Sequence, residues 1–284
     1  MNILLTNLQM FPFRGTESWC YAVGSELIKR GHKVSIFSPT PREGIPYFEK
    51  AGINYTTTGT YDLVLDNHSV IYPAIKGPVI HTCHGTVPAE RPLRNVTNVA
   101  VNPRVADYWG LDKVIFNGID CDRFRPIVPL NDQPKTVLSL CSSEMADQII
   151  ANICKKLNLN LITTHNKEVF DVERLINQAD IVFGVGRSAL DAMACGRPVI
   201  SFDCRFYLPP RHGCGYLTPE LVANNTDNLV GKDNTLDDEQ IIEQIKRYNP
   251  EDGIKNREYV INNRNITQTV NKYLEVYNDI TGLA

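Results

Sequence analysis

Short apolar runs alternate with amphipathic stretches along the whole chain. In the first half the runs predict strands at Asn2 to Thr6, Lys33 to Phe37, Leu63 to Leu65, Val79 to Thr82, Val96 to Val101 and Val114 to Phe116. Between the first two, an apolar stripe at helical spacing predicts a helix from Glu17 to Arg30, closed by Gly31. A proline-bearing segment, RPIVPLNDQP from Arg125 to Pro134, then breaks the periodicity. Beyond it the alternation restarts, with strands predicted at Thr136 to Leu140, Asn160 to Thr163, Ile181 to Phe183 and Val199 to Phe202. The carboxy-terminal part reads as helical, over Asp237 to Tyr248 and Asn265 to Asp279.

Strand and helix in strict alternation is the signature of doubly wound α/β domains, whose strands read as continuous apolar runs because both faces are covered. The break divides the chain into a first Rossmann-like domain over residues 1–126, a linker over 127–134 and a second Rossmann-like domain over 135–264. Residues 265–284 form the last helix. In such folds a ligand sits at the carboxyl ends of the strands, so two halves imply a cleft with those ends facing it.

Composition narrows the function classes. With 29 Lys and Arg against 32 Asp and Glu, the formal charge of −3 gives no electrostatic footprint for bulk nucleic acid or an anionic membrane. The eight cysteines contain no C-x-x-C pair and several sit in apolar runs, which predicts buried free thiols in a reducing compartment. The start MNILLTNLQMF lacks a basic n-region and begins directly as a strand, and no apolar run approaches the ~20 residues that span a bilayer. A soluble cytoplasmic protein is expected.

The chemistry concentrates in ADIVFGVGRSALDAMACGRPVIS, from Ala179 to Ser201. It predicts a buried strand, a turn through Gly184 and Gly186, a short helix from Arg187 to Cys195 and a second strand. Glycines at a strand-to-helix turn let the backbone approach a ligand, and the free N–H groups of the helix then face negative charge. Arg187 and Ser188 add a cation and a hydroxyl there, and Asp191 is the one acid of the helix. The spacing Gly184-x-Gly186-x-x-Ala189 with Asp203 also imitates a dinucleotide fingerprint, but the helix is short and the acid comes early.

The same stretch resembles the donor-site motif of retaining glycosyltransferases of family 4, which have the GT-B fold. Gly184-Val185-Gly186 stands for the family's Gly-Phe-Gly, Asp191 for its second Glu, and Ala192 to Val199 follow the pattern closely. Two further segments match in order: the opening strand, the glycine loop at Gly15 and the helix ending Arg30-Gly31-His32, and then KVIFNGIDCDRFRP from Lys113 to Pro126. The resemblance implies a GT-B architecture, two Rossmann-like domains facing across a cleft, with the last helix crossing back to the first domain.

It also implies an activity: a hexosyl or pentosyl transferase that moves a sugar from a nucleoside diphosphate donor, such as a UDP-sugar, to an acceptor hydroxyl with retention. The nucleotide-sugar is a co-substrate; no cofactor and no metal are implied. On the donor side stand Gly15, Gly184, Gly186, Arg187, Ser188, Asp191 and Ser142, with Asp191 accepting ribose hydroxyls. On the acceptor side stand Thr16, His84 and Asn117, and the catalytic assignments fall on His84 and Arg187. The acceptor is unspecified: a glycan, a lipid, a protein or a modified DNA base.

Two departures matter. Phe183 replaces the family's first Glu, and the stretch from Ser139 to Met145 carries neither the Arg nor the Lys with which relatives grip the diphosphate, which leaves Arg187 as the best substitute and Arg205 and Arg211 in reserve. The two departures favour an alternative in which the chain is a catalytically degenerate nucleotide-binding or partner subunit. A further alternative is a glycosyltransferase that acts on modified bases in DNA, with Arg91, Arg94 and Arg104 as a local basic face.

Overall fold

The computed structural model describes residues 1–11, 15–70, 73–164 and 169–282. The chain divides into two compact units, one of Met1–Gly118 with Arg264–Ala284 and one of Ile119–Asn263.

The first unit begins with β1 (Asn2–Thr6), α1 (Gly15–Lys29), β2 (Lys33–Phe37), α2 (Ile45–Lys50) and β3 (Asn54–Tyr55). It continues with β4 (Gly59–Thr60), β5 (Leu63–Asn67), β6 (Ile75–Lys76), β7 (Val79–Cys83), β8 (Thr97–Ala100) and α3 (Pro103–Trp109). Among the described residues these build a six-stranded sheet in the order β3-β2-β1-β5-β7-β8, with β4 and β6 pairing separately. Every pairing is parallel, and β1 lies between β2 and β5 with Ile3 opposite both Val34 and Leu63. The strand order reverses direction between β1 and β5, and that is where an open α/β sheet leaves a crevice at its carboxyl edge.

The sequence explains the elements locally. Trp19, Val23 and Leu27 recur along one face of α1 and are buried against the sheet. Asn102 caps α3, its side chain accepting from the Val105 N–H, with Pro103 next and Gly110 in the left-handed conformation at the end. The strand expected over Val114 to Phe116 is not formed: a single bridge joins Val114 to Ala100. The chain there turns instead toward the last helix. A Cβ on Gly118 would lie 2.7 Å from Ile266 Cα, so only glycine allows that approach.

The second unit holds β9 (Thr136–Ser139), α4 (Glu144–Leu157), β10 (Asn160–Thr163), α5 (Val172–Ile176), β11 (Ile181–Phe183) and α6 (Arg187–Ala194). It ends with β12 (Val199–Asp203), β13 (His212–Tyr216), α7 (Pro219–Asn224), α8 (Asp238–Lys246) and α9 (Pro250–Asn263). The sheet order is β10-β9-β11-β12-β13, parallel except for β13, and it reverses between β9 and β11. Helix α10 (Ile266–Thr281) belongs to the first unit, where Ile266, Val270, Tyr273 and Tyr277 join the core beneath α1.

The change of unit at Gly118 comes before the expected boundary at residue 126, and residues 127–134 are not a free linker. The buried Arg197 guanidinium donates to the carbonyls of Val128 and Ala179 and to Asn177 Oδ1. Asp180 accepts from the backbone N–H groups of Asn131, Lys135 and Thr136. Those bonds overcome the burial of Asp180 and hold its carboxyl below the usual range. Prolines broke the periodicity of this segment, but side chains remote in sequence fix it to the second unit.

Candidate functional site

Both sheets place chemistry-bearing residues at their carboxyl edges, beside the strand-order reversal, and each set is built within its own unit.

In the second unit, β11 ends at Phe183 and the chain turns through Gly184, Val185 and Gly186 into α6. Gly186 has φ 60° and ψ −128°, a conformation closed to residues with a Cβ. The N-cap of α6 is Gly186 itself, which has no side chain to cover the first turn, and a helix start of this kind is where an anion is accommodated. Ser188 lies half-buried on that turn. Arg187 does not reach away from the turn. Its Nε lies 3.8 Å from Oδ2 of Asp191, one helical turn on, and both side chains are 10% exposed.

Burial raises Asp191 to about 6, against the opposing pull of Arg187 and Arg123; burial likewise lowers Arg187, with Asp191 opposing. Oδ1 of Asp191 is buried and has no hydrogen-bond partner among the described residues. A buried carboxylate oxygen left open is costly unless a donor fills it.

Ser142, expected on the donor side, is hydrogen-bonded within the unit. Its backbone N–H and its Oγ both donate to Oδ2 of the buried Asp203, at 3.2 Å and 3.0 Å. Neither donor is left for a ligand. Arg205 donates to the same oxygen at 3.0 Å, and the Cys204 N–H donates to Oδ1. Arg205, a reserve cation in the sequence, thus stands beside Ser142, and the tie between them is Asp203, the acid that ends an apolar strand two residues before it.

In the first unit the carboxyl ends of β1, β5 and β7 carry a hydrogen-bonded polar cluster. His84 Nε2 bonds Asn67 Oδ1 at 2.8 Å, and the His84 N–H donates to Glu90 Oε2 at 2.9 Å. The other oxygen of Glu90 is 3.1 Å from Nε2 of His68, whose Nδ1 meets Asn7 Oδ1 at 2.9 Å. His68 and Ser69 both have left-handed backbone, φ 59° and 57°, which is strained for residues with a side chain. Burial alone would lower His68, but Glu90 outweighs it and holds it raised; burial would raise Glu90, but His68 and His84 hold it down at about 2. His68 was missed in the sequence, although it directly follows the run Leu63 to Asn67 that became a strand.

The remaining candidates are placed as follows. Gly15 is exposed and opens α1, with free space where a Cβ would stand. Arg14 before it lies outside the described residues. Thr16 is inside the helix and donates to Glu17 Oε2 at 3.2 Å. Asn117 is half-buried before Gly118, its Oδ1 without a hydrogen-bond partner among the described residues. His81 is wholly buried against Asp66, 2.6 Å away.

Among the described residues no group of His, Cys, Asp and Glu could hold a metal ion, and no helix is long and apolar enough to cross a membrane. The eight cysteines form no disulfide, and seven of them are buried.

No protein-family model matches the chain, and no curated protein sequence does. Solved structures do. Anabaena HepE in complex with UDP and glucose is similar at a TM-score of 0.66 and 12% identity, over 98% of this chain and 100% of that one. A glycosyltransferase from Rickettsia africae is similar at 0.65 and 15% identity, over 100% and 99% of the two chains. The fold is GT-B. An alpha-glucosyltransferase in complex with UDP and a 13-mer DNA containing an HMU base is similar at 0.61 and 9% identity, over 98% and 99%. At these identities the likeness is one of fold. The GT-B expectation from the sequence therefore holds across nearly the whole chain.

Proposed function

We propose that the protein transfers a sugar from a nucleoside diphosphate donor to an acceptor hydroxyl, with retention and without a bound metal. The observation that carries this reading is the buried Asp191 oxygen that lacks a hydrogen-bond partner among the described residues, one helical turn from the glycine turn that opens α6 at Gly186. An anion facing the turn and a hydroxyl pair facing the acid are the two ends of a ribose phosphate. Complexes with UDP among proteins of the same fold support the choice of ligand class.

In this reading Asp191 accepts the ribose hydroxyls and the turn from Gly184 to Ser188 receives the diphosphate. Arg187 adds positive charge between them. As the glycosidic bond breaks, charge develops on the leaving diphosphate, and preorganised N–H groups and cations stabilise it without reorganising. The leaving phosphate then assists the incoming hydroxyl. On the first unit, His84 and Asn117 orient that hydroxyl, with Gly15 and Thr16 at the same edge. His84 is held for this by Asn67 and Glu90.

A second reading keeps nucleotide binding without turnover, as a degenerate or partner subunit. Phe183 in place of an acid and the commitment of Ser142 to Asp203 favour it. The likeness to an enzyme solved with DNA keeps a modified base among the acceptor classes, and Arg91 and Arg94 are exposed on the first unit.

The test is a calorimetric screen of UDP, GDP, ADP, CMP and their sugar conjugates. Selective micromolar binding of one nucleotide supports the donor site, and sugar release or transfer from its conjugate, unaffected by EDTA, supports catalysis. Binding without either supports the second reading. No binding by any member overturns the donor site. A salt-sensitive gel shift with duplex DNA would point to the DNA acceptor.

A further inference from the structure

The loops that follow β9 and β12 meet beyond the end of the strand between them. Cys141 Sγ donates to the Phe202 carbonyl at 3.2 Å, and Ser142 reaches Asp203 one residue further on. Strand β11 lies between β9 and β12, and it leaves the sheet there through Gly184. Asp203 therefore ties together the loops on either side of the glycine turn. Arg205 is the cation on that tie.

Asp203 is wholly buried, and its two oxygens receive four donors: the Ser142 N–H, the Ser142 hydroxyl, the Cys204 N–H and Arg205 Nε. Arg205 is one of those four donors, so the pair carries no net charge, and what it offers an anion is the set of N–H groups that Asp203 leaves open. Of the five N–H groups an arginine carries, one serves Asp203 and one of Nη1 meets the Tyr207 hydroxyl at 3.2 Å. Its other N–H groups have no hydrogen-bond partner among the described residues, and the side chain is 28% exposed. A forked donor set fixed at one end and open at the other suits two phosphate oxygens.

We propose that Arg205 is the residue that grips the donor diphosphate, with Asp203 as the positioning residue that aims it. The proposal rests on the donor reading above and gives the diphosphate a second cation beside Arg187. Ser142 then acts through Asp203, which explains why both of its donors are spent. Arg187, turned to Asp191, adds its charge from the ribose side of the same diphosphate.

The test separates charge recognition from nucleoside recognition. Inorganic pyrophosphate and UDP are titrated into the wild-type protein and into Arg205→Gln, Arg205→Lys and Asp203→Asn, with uridine as the uncharged control and thermal melting as the check on folding. Arg205→Gln is expected to weaken pyrophosphate and UDP at least tenfold and to leave uridine unchanged. Arg205→Lys should recover part of the loss, and Asp203→Asn should weaken pyrophosphate severalfold. Wild-type affinity for pyrophosphate and UDP in Arg205→Gln would overturn the role of Arg205 while leaving the donor site standing. An equal loss for uridine would overturn it too, by showing an effect through the fold. Failure of wild-type protein to bind any nucleoside diphosphate in the broader screen would instead overturn the donor reading itself, and this assignment with it.

Discussion

Arg187 and Asp191 face each other along one turn of α6, 3.8 Å apart and both nearly hidden from solvent. The pair is imperfect: Oδ1 of Asp191 keeps no hydrogen bond among the described residues, and burial lifts its pKa to about 6. A carboxylate raised in this way costs the folded state stability wherever it is ionised. The cost is fully present above about pH 6 and is relieved as the pH falls from there toward the usual value of 3.8.

Asp191 therefore gives binding a pH signature. Uridine has no group that titrates between pH 5 and 8, so changes in its affinity over that range report the protein. Calorimetry should show the wild-type affinity falling severalfold as the pH drops through about 6. Asp191→Asn should bind weakly at every pH and show a flatter profile. A wild-type profile as flat as that of the variant would remove Asp191 from the ribose.

The pair His68–Glu90 should stabilise the first unit within a defined window. Glu90 is depressed from 4.5 to about 2, so its contribution is present above 4.5 and is lost as the pH falls toward 2. His68 is raised above 6.5, so its contribution is complete below 6.5 and is lost as the pH rises through the raised value. Glu90→Gln should thus cost most between about pH 4.5 and 6.5, on the order of 3 kcal/mol as for other broken buried pairs. Urea denaturation of both proteins at pH 5.5 and pH 9 measures it; equal costs at the two values would refute the ion pair.

His81 and His84 lie on one short stretch yet should behave oppositely. His81 and Asp66 are entirely buried, so His81→Ala removes a partner from a buried acid and should lower stability by roughly 3 kcal/mol. Nucleotide affinity per folded molecule should be unchanged. His84→Ala should instead slow transfer at least tenfold with a smaller change in melting temperature. The comparison requires only melting curves, binding and initial rates.

Gly186→Ala tests the turn itself. Its left-handed backbone would be strained by a side chain, at about 1–3 kcal/mol, and the new Cβ would stand 3.1 Å from Asn228 Nδ2. The melting temperature should fall, and nucleotide affinity should fall with it because the N–H groups of α6 are re-aimed. Wild-type affinity in a folded variant would show that the turn does not hold the anion.

The elements legible in the sequence were those whose cause is local. The run Asn2 to Thr6 is a strand because Ile3, Leu4 and Leu5 are a continuous apolar stretch at its centre, and Gly184-Val185-Gly186 is a turn because of what glycine permits. The same holds for the start of α6 at Arg187, and the fold class followed from the alternation of such elements. Short strands beside long loops were less legible: β13, paired antiparallel to β12, carries glycines and a histidine in place of an apolar run.

What the sequence by itself determined was thus the succession of strands and helices, the glycine turn and the stretches that carry the chemistry. Only the tertiary structure decided the partners: Glu90 with His68, Asp203 with Ser142 and Arg205, and Arg197 with the segment expected to be a linker. The physical reason is that a strand's burial is written in its own residues. The neighbour of a side chain at the edge of a sheet depends on strand order, and strand order is a property of the packed whole.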